Sequence, residues 1–87
     1  PHAIIERTEN LISDFIEHDI DLVAVVHDTL IETGLFDVSA IKTREITLDN
    51  WMIGDKGQDG RFVHVAIAIK AGRPLDQRQA ITDKMIN

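Results

Sequence analysis

Across residues 38–51 the side chains alternate in character with a period of two, a spacing that fits an extended strand and would scatter around a helix. Lys42, Arg44, Ile46 and Leu48 fall on one face, and Ile41, Thr43, Glu45 and Thr47 on the other. Residues 61–70 alternate again, with Val63, Val65, Ile67 and Ile69 facing one way and Phe62, His64, Ala66 and Ala68 the other. Between the two lies Gly54-Asp55-Lys56-Gly57-Gln58-Asp59-Gly60, which predicts a flexible turn and a hairpin-like or offset return of the chain.

Upstream the period changes. Residues 2–6 predict a short strand with β-branched Ile4 and Ile5 inside it, and Thr8-Glu9-Asn10 breaks that pattern. Residues 11–34 have helical spacing, because Leu22, Val23, Val26, Leu30 and Ile31 fall on one stripe. Asp14, Asp19 and Asp21 are candidate caps or first-turn acids, so a short turn followed by a longer helix is expected. Thr33-Gly34 is a helix stop, since Gly adopts the left-handed conformation without steric cost. Ala71-Gly72-Arg73-Pro74 leads into a second helix with Pro74 at its first position and only Leu75, Ile81 and Met85 as an apolar face. The order is strand, helix, strand, then strand, helix. The first three elements make a β-α-β unit, and the second unit begins alike but stops at Asn87 without a closing strand. The expectation is one domain, residues 1–87, lacking its C-terminal portion; were the 87 residues complete, the sheet would instead have an unpaired edge that a partner must cover.

Composition narrows the function. With 87 residues the monomer's core is small, which favours association. There is no Cys, hence neither disulfide nor thiolate chemistry. No apolar run has transmembrane length and no signal pattern opens the sequence, so a cytoplasmic protein without membrane contact is expected. The net charge of −6, from fifteen acidic and nine basic side chains, disfavours nucleic acid. Four His residues show neither HxH nor HExxH spacing, so no metal site is expected. Gly54, Gly57 and Gly60 have turn spacing, unlike a phosphate loop, and Ser13 and Ser39 lack a nucleophile-elbow setting. His64 reads as a packed strand residue, and Trp51 and Met52 as core or subunit-interface packing.

What remains is an unusual base and a set of cations. A processed chain beginning at Pro1 carries a free secondary amine on a ring that fixes φ. An α-amino group titrates at about 7.7–8, and an apolar pocket or a nearby cation brings it closer to neutrality, where a general base works best. The plain alternative is an incidental start. Lys42 and Arg44 project from one side of their strand, about 7 Å apart. Arg73 precedes a helix N-terminus, where it and free N–H groups would together hold an anion. The competing reading has Lys42 and Arg44 solvating an exposed face or pairing with neighbours such as Glu45. Glu6 is a possible second acid or base that a strand end would normally leave solvated. An amine base beside cations suits proton transfer on a small polyanionic acid, the cations holding carboxylates and favouring charge on an enolate oxygen.

Pro1-His2, Thr33-Gly34-Leu35-Phe36, Ile41-Lys42-Thr43-Arg44, Trp51, Phe62-Val63-His64, and Ala71-Gly72-Arg73-Pro74-Leu75 leading into Arg78-Gln79 occur in that order. Together they resemble the 5-carboxymethyl-2-hydroxymuconate isomerase family, within the tautomerase superfamily of amino-terminal-proline enzymes. The resemblance implies an α+β fold of tautomerase-like β-α-β units, a sheet with helices on one face, assembled as a homotrimer. It implies a cofactor-independent isomerase of aromatic-compound catabolism with Pro1 as catalytic base. Lys42, Arg44 and Arg73 would bind the carboxylates of a di- or tricarboxylate substrate and polarise its 2-oxo group. Arg44 and Arg73 match the family pattern, whereas Lys42 stands where an arginine is usual and lacks the planar bidentate fork. The alternatives are a broader phenylpyruvate-type keto–enol tautomerase, or a trimeric binding or structural relative without turnover.

Overall fold

A computed structural model describes residues 1–69; the second helix expected after Pro74, and Arg73 with it, lie outside the described residues. The chain forms β1 (His2–Thr8), α1 (Ile12–Glu17), α2 (Leu22–Glu32), β2 (Lys42–Leu48) and β3 (Val63–Ala68), with single 3₁₀ turns at Glu9–Leu11 and Val38–Ala40. The sheet order is β2-β1-β3, which puts the N-terminal strand in the centre. β1 runs parallel to β2 and antiparallel to β3. A parallel pair needs a crossover, and the two helices supply it. This is the β-α-β unit that the periodicities predict and the α+β architecture that the resemblance implies.

Register follows from burial. Ala3 and Ile5 of β1 are fully buried against Val26 and Leu30 of α2 and against Ile41, with Leu22, Val23, Ile31 and Ile67 packed around them. The helical stripe predicted from Leu22 to Ile31 is therefore the face that seals the sheet. Full burial of Ile5 or Leu30 contributes about 1.5–3 kcal/mol each. A one-residue slip of β1 would move Ala3 and Ile5 to the opposite face, so the register is strongly specified.

Helix ends follow local chemistry. Asp21 caps α2, its carboxylate accepting from the Ala24 amide at 3.1 Å. α1 ends in a Schellman arrangement, in which the Ile20 amide donates to the Phe15 carbonyl and the Asp19 amide to that of Ile16. Asp19 holds the left-handed position there at φ 53°. α2 stops as expected, with Gly34 at φ 67° and its amide on the Ile31 carbonyl.

Two predicted strands are shorter than the alternation suggested. Residues 38–40 form a 3₁₀ turn because Asp37 accepts from the Ser39 amide and hydroxyl, at 3.0 and 2.8 Å, offering the backbone an alternative to the ladder. The Ser39 hydroxyl first, and then its amide, hold the Asp37 carboxyl below its usual value. β3 occupies Val63–Ala68 of the predicted 61–70, of which Lys70 lies outside the described residues. β1, by contrast, extends two residues past the predicted Glu6. The return from β2 is offset: residues 49–62 pass the C-terminal end of β1, where Thr8 and Phe62 exchange two hydrogen bonds. The Gly60 carbonyl there accepts from both Asn10 and the Trp51 indole, so Trp51 is a half-buried loop anchor, while Met52 is exposed. No helix among the described residues is long and apolar enough to cross a membrane.

Candidate active site

Pro1 sits half-buried at the start of the central strand, so its nitrogen lies at one end of the sheet with β2 and β3 on either side. The Lys42 amide donates to the Pro1 carbonyl at 3.0 Å, which sets the first residue of β2 directly beside it. The ladder then aligns His2 with Lys42 and Ile4 with Arg44. On the other flank, His2 faces Ala68 and Ile4 faces Ala66.

Alternation decides where these side chains go. Ala3, Ile5 and Arg7 face the helices; His2, Ile4, Glu6, Lys42 and Arg44 share the opposite face. Lys42 and Arg44 are exposed, and among the described residues neither makes an ion pair. Among the described residues the Lys42 ammonium reaches only the Ala40 carbonyl, at 3.5 Å. Glu45, the neighbour that would have neutralised them, points the other way and meets Arg7 instead, Nε to Oε2 3.3 Å. The same-face cation pair therefore stands free of Glu45, and its floor is the small apolar patch of Ile4, Ala66 and Ala68. Arg73, the third expected cation, lies outside the described residues. Glu6 is half-buried on the cation face and registers opposite the exposed His64; the packed role expected for His64 does not hold, because among the described residues that face of the sheet carries no helix.

Two polar features escaped the periodicity. Arg7 is 6% exposed, with its guanidinium 5.6 Å from the centre of the Phe15 ring and Nη1 3.5 Å from the Thr8 carbonyl. Its approach to Glu45 is a charge contact without hydrogen-bond alignment, leaving Nε otherwise unsatisfied. The usable signal was parity, since Arg7 continues the Ala3, Ile5 series. The second feature is His27 on α2, whose Nδ1 lies 2.8 Å from the Thr43 hydroxyl. A cleft of about 350 Å³ opens beside Arg7, Phe15 and Glu45. It lies at the opposite end of β1, about 20 Å of strand from Pro1.

A sequence profile of the 5-carboxymethyl-2-hydroxymuconate isomerase family matches residues 1–87. The chain is 38% identical over 80 residues to the 5-carboxymethyl-2-hydroxymuconate Delta-isomerase of Escherichia coli, covering 91% of this chain and 61% of that protein. It thus spans about three fifths of the length of the curated relative it matches. A crystal structure of native Ps01740 superimposes with a TM-score of 0.69 at 18% identity, over 98% of this chain and 74% of the other. That likeness extends the agreement to the fold alone.

Proposed function

The chain belongs to the 5-carboxymethyl-2-hydroxymuconate isomerase family, and from that membership we propose that it serves a cofactor-independent isomerase acting on a hydroxymuconate-like dicarboxylate or tricarboxylate in aromatic-compound catabolism. Pro1, as a free secondary amine, is the general base. It takes the proton of the 2-hydroxyl group; the oxygen's electron pair closes the carbonyl, and the diene electrons shift along the chain of carbons. The resulting prolinium returns the proton to the distal carbon, forming the new C–H bond. The sum is a 1:1 isomerisation in which no co-reactant is consumed. Lys42, Arg44 and Arg73 hold the carboxylates and stabilise charge developing on the 2-oxygen.

The observation that carries this reading is the register of β2 on β1. It sets Lys42 beside Pro1 and sends the Lys42 and Arg44 side chains to one exposed face without a paired acid among the described residues. Two neighbouring cations favour a substrate with more than one carboxylate over a phenylpyruvate-type substrate, which needs a single carboxylate site and an apolar slot. Assembly into a homotrimer, which would bring further residues to the site, is part of the proposal. The experiment is to follow ketonisation of 5-carboxymethyl-2-hydroxymuconate by ultraviolet absorbance with wild type and Arg44→Ala. Turnover by wild type, with KM raised about 10-fold or more in the variant, is expected for a charge-assisted contact. No turnover on any hydroxymuconate dienol would overturn the proposal in favour of a binding role.

A further inference from the structure

β2 carries its cations on one face and is tethered through the other. Among the described strands it pairs with β1 alone. On its helix-facing side, Thr43 meets His27 of α2 at 2.8 Å, and Glu45 meets Arg7 of β1 at 3.3 Å. These two contacts bracket Arg44, one residue to either side. Successive side chains of a strand point to opposite faces, so fixing Thr43 and Glu45 fixes the rotation of the strand about its own axis. That rotation sets the directions in which Lys42 and Arg44 leave the sheet. The side of the sheet that Thr43 faces is otherwise sealed by Val26, Leu30 and Ile5, where an apolar residue would pack equally well. A hydroxyl at this position therefore contributes direction more than burial.

We propose that Thr43, through its hydrogen bond to His27, is a positioning residue that orients the Lys42/Arg44 pair for carboxylate binding. The inference rests on the reading of that pair as the carboxylate site. It holds for either neutral tautomer of His27, because an Nδ1–H donates to the hydroxyl and a bare Nδ1 accepts from it. Thr43→Val removes the hydroxyl at nearly constant volume, and the β1 ladder and the Arg7–Glu45 contact remain to hold the strand. The prediction is a rise of about 2- to 10-fold in KM for 5-carboxymethyl-2-hydroxymuconate, the size of one net hydrogen bond, with kcat within about 2-fold. Thr43→Ser, which keeps the hydroxyl, restores wild-type KM, and His27→Leu reproduces the rise from the helix side.

A role through the cations also requires non-additivity: in an Arg44→Ala background, Thr43→Val adds little further. Three results would overturn the inference: a wild-type KM in both Thr43→Val and His27→Leu, an undiminished effect in the Arg44→Ala background, or failure of Thr43→Ser to rescue. If Arg44→Ala raises KM but Thr43→Val does not, positioning alone falls. If Arg44→Ala leaves KM unchanged, the carboxylate reading itself falls, and the inference with it.

Discussion

Arg7 shows how one residue's meaning depends on parity. A guanidinium inside a small sheet is costly unless it is paired, and here Glu45, the Phe15 ring and the Thr8 carbonyl share the work. Removing one partner of such a pair leaves the other charge uncompensated. Glu45 is 25% exposed, so solvent screens part of that loss. Arg7→Ala is expected to lower stability by about 2–3 kcal/mol, measured as the shift in urea unfolding; a loss below about 0.5 kcal/mol would show that the pair is solvent-compensated. Arg7 was legible only as the next member of the Ala3, Ile5 series, one step past the predicted end of the strand. The His27–Thr43 contact was not legible at all. It joins two elements whose relative placement depends on packing, and no local spacing encodes which helix residue will lie over which strand residue.

Elements were far easier to read than contacts. The stripe from Leu22 to Ile31 located α2 because the core selects that face, and Ile67 of β3 packs against the same core; β2 was located by its alternation alone, since Thr43 and Glu45 face the helices and Ile46 the open side. The errors fell at the ends, where short-range hydrogen bonds compete with the ladder, as Asp37 and Ser39 do before β2. The end of α2 offers a clean measurement. A Cβ placed on Gly34 would meet nothing within 4 Å, so substitution there has only a conformational cost at φ 67°. Gly34→Ala should therefore destabilise by about 1–2 kcal/mol in thermal or urea unfolding without altering helix content. No change would imply that the backbone relaxes out of the left-handed region.

For the whole molecule, the expected α+β class matches the observed sheet, and the likeness to native Ps01740 agrees with it. Among the described residues the helices cover one face only: Ile46 on the open face is 44% exposed, Val63 at the margin of the helix face is 42% exposed, and the outer edges of β2 and β3 are unpaired among the described strands. A surface of this kind is normally covered, and the proposed trimer is one way to cover it. Light scattering should give three times the chain mass at micromolar concentration, and a stable monomer would contradict that assembly. Of the proposed site, the same-face Lys42/Arg44 pair was legible because alternation alone determines it. The adjacency of Lys42 to Pro1 was not, since it needs the parallel register of β2 on β1.

The central claim is that the terminal amine moves the proton, and its most direct test is the rate of ketonisation in Pro1→Ala, with mass analysis confirming a free first residue in both proteins. Alanine keeps a basic amine but replaces the secondary amine by a primary one and loses the ring that holds it. The expected result is a fall in kcat of about 10- to 100-fold, at or below the bottom of the range of about 10²- to 10⁴-fold for a positioned general base because an amine remains, with a smaller change in KM. A wild-type kcat in Pro1→Ala would contradict it.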